Sequence, residues 1–162
     1  MKLKKAIMAS MIVSSMLVTV AGPLPAGVAA AQEQKQPEVK KVKIDKEMAS
    51  KLQKVMKQFA GKEIKLQDVG EVEFGDFVAV KSVDGKYKIH FDTETGTVAG
   101  ARATLPINEI DEKDRKQILQ KLKKLDAKSE EVQVIGTYDA KKNKFKEILY
   151  AFESNILLTV YN

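Results

Sequence analysis

Lys86-Tyr87-Lys88-Ile89-His90-Phe91-Asp92-Thr93-Glu94-Thr95-Gly96 is the stretch that decides the fold. Tyr87, Ile89 and Phe91 fall on one side of an extended chain, and Lys86, Lys88 and His90 fall on the other. A strict period of two, with one apolar and one polar set, predicts an antiparallel strand with one face buried and one face wet. Asp84-Gly85, just before it, is a strong hairpin pair, and the run from Phe77 to Val83 is rich in strand formers. Asp92 to Gly96 reads as a second turn, with Gly96 suited to positive φ, and Thr97 to Leu105 as a further strand. Farther upstream, Ile64-Lys65-Leu66 and Glu71-Val72-Glu73-Phe74 also alternate.

Two segments break this period. Met48, Leu52, Val55, Met56 and Phe59 recur at helical spacing behind a capping Asp45 and ahead of Gly61, which predicts a helix over 46–60. After Pro106, Asp111 caps a second helix whose stripe is Ile118, Leu119, Leu122 and Leu125. Strands then return over 132–138, 145–152 and 156–161. Ile44-Asp45, Leu52, Met56 and Phe59 reappear 66 positions later as Ile110-Asp111, Ile118, Leu122 and Leu125. The expected fold class is therefore α+β: two helices packed on antiparallel β-sheet. A helix-then-three-strands unit is expected twice, over 44–106 and 107–162, in one domain or two.

Residues 1–31 read as a secretory signal peptide. Lys2, Lys4 and Lys5 precede an uncharged apolar run from Ala6 to Val20, followed by Gly22, Pro23 and Pro25 and the small residues Val28-Ala29-Ala30-Ala31. The run falls short of the roughly 20 residues that span a bilayer. No later stretch approaches that length, so no membrane span is expected in the mature chain. Cleavage near Ala31 would leave a flexible leader over 32–43 and a chain that is secreted, extracellular or associated with the cell wall. The three signal-peptide lysines, Lys2, Lys4 and Lys5, carry half of the formal charge of +6. The remainder is too small to argue for nucleic acid. The chain has no cysteine. Disulfides, Cys-based metal sites, thiol catalysis and lipid attachment through cysteine are thereby excluded.

Over residues 44–100 the chain resembles the PepSY family. That family's pattern is a short helix, a strand, and a hairpin closing in a motif like aromatic-x-Val-Asp-x-x-Thr-Gly-x-Val. The matching stretch is Tyr87 to Val98, with Phe91, Asp92, Thr95 and Gly96 as the family-like turn, and the helix over 46–60 stands where the family's helix stands. Phe152-Glu153-Ser154-Asn155 lacks the Thr-Gly turn, so the second half fits only in outline. PepSY-like domains occur in propeptides of secreted peptidases and in stand-alone exported proteins. The resemblance implies a chain that inhibits or chaperones a secreted peptidase, and, with no peptidase attached here, does so in trans.

The chemistry-bearing residues are sparse. His90, the single histidine, sits on the polar strand face beside Lys86 and Lys88, where an exposed strand histidine is expected. No nucleophile elbow or second ligand accompanies it. Asp92, Glu94 and Gly96 echo the start of a calcium loop, but Ala103 stands where the closing Glu belongs, so a plain turn is expected. Glu71 and Glu73 share an outward face, and Glu130 and Glu131 adjoin, without a pocket motif. Lysines gather at 40–43, 121–128 and 141–146, interspersed with acids. Thr97, Ala99, Ala101 and Ala103 form a small-residue stretch that would let a helix of this chain or a partner approach closely. It is the preferred interaction surface. No cofactor, metal or catalytic residue is expected. The reading is a secreted non-catalytic binding module whose partner is a secreted or surface protein, a peptidase by resemblance. The alternative is a wall or surface protein that holds an anionic polymer through its lysines. Oligomeric state is left open.

Overall fold

The computed structural model describes residues 38–162, so the signal peptide expected over 1–31 lies outside the described residues. Eight strands and two helices follow one another: β1 (Lys41–Lys43), α1 (Lys46–Ala60), β2 (Leu66–Phe74), β3 (Phe77–Ser82), β4 (Tyr87–Asp92), β5 (Val98–Pro106), α2 (Glu112–Lys124), β6 (Glu131–Asp139), β7 (Lys144–Phe152) and β8 (Asn155–Tyr161). A short 3₁₀ turn, Ile107–Glu109, leads into α2. Every strand pairs antiparallel with its neighbours in sequence, and all eight form one sheet in the order β1 to β8. No helix among the described residues is long and apolar enough to cross a membrane.

This overturns the expected fold class. The molecule is predominantly one eight-stranded antiparallel sheet carrying two helices, not a helix-then-three-strands unit packed twice. A strand precedes α1 and four strands follow it, whereas three follow α2. The α1 core does not stop at residue 106 either, since it takes in Val134 and Phe145 from β6 and β7. The segment read as a leader also ends in structure: Lys41–Lys43 pairs with β2, Val42 opposite Gly70.

The local signals for α1 are realised. Asp45 Oδ1 accepts from Met48 N–H at 2.8 Å. Gly61 closes the helix at φ 69°, its N–H donating to Lys57 O. Leu52 and Met56 are fully buried and Val55 nearly so. They close over Val78, Val80, Tyr87, Ile89, Phe91, Val98, Ala101 and Ala103, the in-phase residues of β3, β4 and β5. Gly136 lets α1 reach across to the later strands. A Cβ there would come within 2.8 Å of Phe59 and 2.7 Å of Phe145, whose rings lie 5.2 Å apart.

The second helix sits differently. Asp111 Oδ1 caps it through Lys113 N–H at 2.9 Å. Only Ile118 and Leu122 of the predicted stripe are buried. Leu119 and Leu125 are 48% and 40% exposed, because α2 covers the β8 margin of the sheet and has less to pack against. Val132 and Val134 are neighbours in phase on β6, the first in the α2 cluster and the second in the α1 cluster. Both helices therefore cover the same sheet face. Tyr150 packs against both clusters, and its hydroxyl donates to Asp114 Oδ2 on α2 at 3.1 Å.

Candidate functional site

With both helices on one side, the other side of the sheet is left open, and the polar phase of each strand builds it. Glu71 and Glu73 of β2, Lys81 of β3, Lys88 and His90 of β4 and Arg102 of β5 share this face. The register fixes them there: Lys81 lies opposite Lys88, Lys88 opposite Arg102, and Arg102 opposite Ile135 of β6. Two lysines directly opposed would repel, and the glutamates of β2 relieve this. Lys81 Nζ lies 2.7 Å from Glu71 and Lys88 Nζ lies 2.9 Å from Glu73.

His90 Nε2 meets the other oxygen of Glu73 at 3.1 Å, and only 15% of the His90 side chain is exposed. The histidine expected to be exposed is thus half-buried and hydrogen-bonded, a correction that follows from Glu73 lying across the ladder. Burial pushes the imidazole below its ordinary pKa and outweighs the Glu73 carboxylate, which pulls the other way. At neutral pH the imidazole is therefore uncharged and donates a hydrogen bond to Glu73. Burial raises the Glu73 carboxyl. The Lys88 hydrogen bond and the neighbouring positive charges overcome this and leave it below the usual carboxylate range. Since His90 is uncharged at neutral pH, we attribute that lowering chiefly to Lys88.

Arg102 is exposed and, unlike Lys81 and Lys88, makes no ion pair or hydrogen bond among the described residues, although its charge acts on the Glu73 carboxylate. It separates two shallow depressions. One is lined by Glu73, Phe74, Phe77, His90, Gly100 and Thr137, the other by Lys81, Lys88, Thr104 and Gln133, with Arg102 and Ile135 common to both. Phe74 and Phe77 stack at 5.1 Å where the first depression ends, and Phe74 is 67% exposed. An exposed guanidinium between apolar side chains and self-neutralised charge pairs suits a macromolecular surface bearing one carboxylate among apolar groups.

Of the other singled-out residues, Ala99 is exposed and lines the first depression beside Gly100. Thr97 is exposed and lines neither depression, and Ala101 and Ala103 are buried on the helix face of β5. A register irregularity between His90 and Phe91 separates Thr97 and Ala99 from Ala101 and Ala103, so the small-residue stretch is not one surface. The family-like turn is an internal brace. Phe91 is in the core, Asp92 Oδ1 accepts from Thr95 N–H at 2.8 Å, and Gly96 takes φ 66°. Lys51 Nζ of α1 donates to Gly96 O, tying the turn to the helix. Those bonds hold Asp92 below the usual carboxylate range, the Thr95 N–H first. Glu131, at the start of β6, is in phase with Gln133 and Ile135 but lines neither depression, and Glu130 lies in the loop before it. Among the described residues no three His, Asp or Glu side chains converge as a metal site.

Arg102, Phe77, Ile135 and Thr137 were not singled out from the sequence. A signal for Ile135 existed, since it is an apolar residue out of phase with Val132 and Val134. Compared with known proteins, the chain matches no family model, no curated protein and no solved structure. The PepSY resemblance therefore rests on Tyr87 to Val98 and the preceding helix alone.

Proposed function

We propose that this chain is an exported, non-catalytic binding module that docks a protein partner on its open sheet face. The observation that supports the reading is the face itself: half-buried, charge-neutralised at Glu71–Lys81 and Glu73–Lys88, apolar at Phe77 and Ile135, with one exposed guanidinium at Arg102. The resemblance adds the class of partner, a secreted peptidase held or inhibited in trans. Such an interface is dominated by area and one charge contact, so it survives moderate salt.

The test is titration of the host's secreted peptidases with the purified protein, at low and moderate salt, beside the variants Arg102→Glu and Ile135→Asp. Stoichiometric binding or inhibition that persists in salt and is lost in both variants is the expected result. Binding untouched by either variant would remove the open face from the reading. A second reading has its own support, since Lys121, Lys123 and Lys124 crowd the last turn of α2. Retention on anionic wall polymer that collapses as salt rises would favour that reading instead.

A further inference from the structure

The two edges of the sheet are built on different plans. β1 is three residues long. Val72 N–H donates to Lys40 O and Ile44 N–H to Asp68 O, so the even-numbered residues here face β2. Lys41 and Lys43 turn their backbone groups outward, each beneath a lysine side chain. Short, lysine-bearing edges resist pairing with another strand.

The opposite edge, β8, reads Asn155-Ile156-Leu157-Leu158-Thr159-Val160-Tyr161. It has no charge, no proline and no glycine, and it is rich in strand formers. Asn162 N–H donates to Lys146 O at 3.1 Å, and the register continues with Val160 opposite Ile148 and Leu158 opposite Tyr150. Backbone groups alternate along an antiparallel strand. Thr159 and Tyr161 therefore present N–H and C=O to the open edge. Tyr161 is 76% exposed and Ile156 58%.

We infer that β8 pairs antiparallel with β8 of a second copy of this chain, so that one sheet runs through both. Two-fold pairing sets each strand against itself, and so selects for an edge without charge. β8 meets that condition, whereas β1 would set lysine against lysine. The neighbouring helix agrees. A two-fold axis normal to the sheet at β8 reverses α2 relative to its mate. The acidic start of one α2 (Asp111, Glu112, Asp114) then points toward the basic end of the other (Lys121, Lys123, Lys124). The assembled pair presents two open faces side by side and becomes bivalent toward a partner. The inference stands on the edge and is independent of the proposed function.

Sedimentation velocity of the purified protein over a range of concentrations tests it. A concentration-dependent monomer–dimer equilibrium is expected. Thr159→Pro removes an outward N–H and leaves the β7 ladder intact. Two symmetry-related hydrogen bonds go together, so the dimer dissociation constant rises roughly tenfold or more. Thr159→Lys, which puts a charge on each of the two paired edges, acts in the same direction and decides the matter if the proline variant does not fold. Lys41→Pro leaves the dimer unchanged. A protein that is monomeric at every concentration overturns the inference, even if β8 then accepts a strand from a different protein. So does a dimer that both Thr159 variants leave intact.

Discussion

The covered and open faces of this sheet are made by the same strands, one residue apart, yet they are held by different physics. On the covered face Val78, Val80, Ile89 and Val98 are almost wholly removed from water beneath α1, and apolar burial accounts for their contribution. On the open face the side chains of Glu71, Lys81, Glu73 and Lys88 remain about one-third exposed. Ion pairs in such settings contribute little to stability. The difference teaches that apolar burial on one side carries the fold while the charge pairs on the other add little to it, so damage to the two faces has different consequences.

The strongest way to break the comparison is Leu52→Ala. Leu52 is fully buried at the centre of the α1 cluster, and its truncation costs about 3–5 kcal/mol by chemical denaturation. A cost as small as that of an open-face variant would mean that the covered face does not carry the fold. Tyr150→Phe comes next. It removes the hydroxyl bond to Asp114 while keeping the ring, for a loss of about 1 kcal/mol. Hydrogen exchange should show α2 and β8 loosening more than α1. Lys81→Ala, on the open face, changes stability by less than about 1 kcal/mol, and a thermal melt close to that of the unaltered protein is expected.

The smallest effect is a pH slope. The folded-state pKa of His90 lies below its ordinary value of 6.5, so the unfolded chain binds this proton first. Stability from the neutral imidazole is present above about 6.5 and declines as pH falls below it. Glu73, lowered from 4.5, contributes in a separate window. Its stability is present above that value and is lost as pH falls toward the folded pKa. Denaturation midpoints followed from pH 7.5 to 5.5, a range spanning the ordinary histidine pKa, should slope in the original protein and flatten in His90→Gln. Equal slopes in both would sharpen the comparison against any role for His90 burial.

Much of the strand pattern was legible because it is local. Tyr87, Ile89 and Phe91 alternate in sequence and are buried in the fold, and Asp84-Gly85 turns the chain with Gly85 at φ 75°. The misreading of a repeat has an equally specific cause. Met56 and Phe59 share spacing with Leu122 and Leu125, and helical spacing reports which face is apolar without saying what will cover it. Phe59 goes into the β6–β7 region through the gap at Gly136, while Leu125 stays 40% exposed at the end of α2. The open-face site was the least legible part, because Glu73, His90 and Arg102 become neighbours only through the ladders of β2 to β5.

By itself, the sequence determined which residues alternate, where the helices are capped and where Asp84-Gly85 and Asp92 to Gly96 reverse the chain, because these depend on neighbours a few positions away. Only the tertiary structure decided that eight strands form one sheet, that both helices lie on one side of it, and that His90 is half-buried against Glu73. Those outcomes depend on contacts between residues far apart in the chain, and the order of strands carries no local signature.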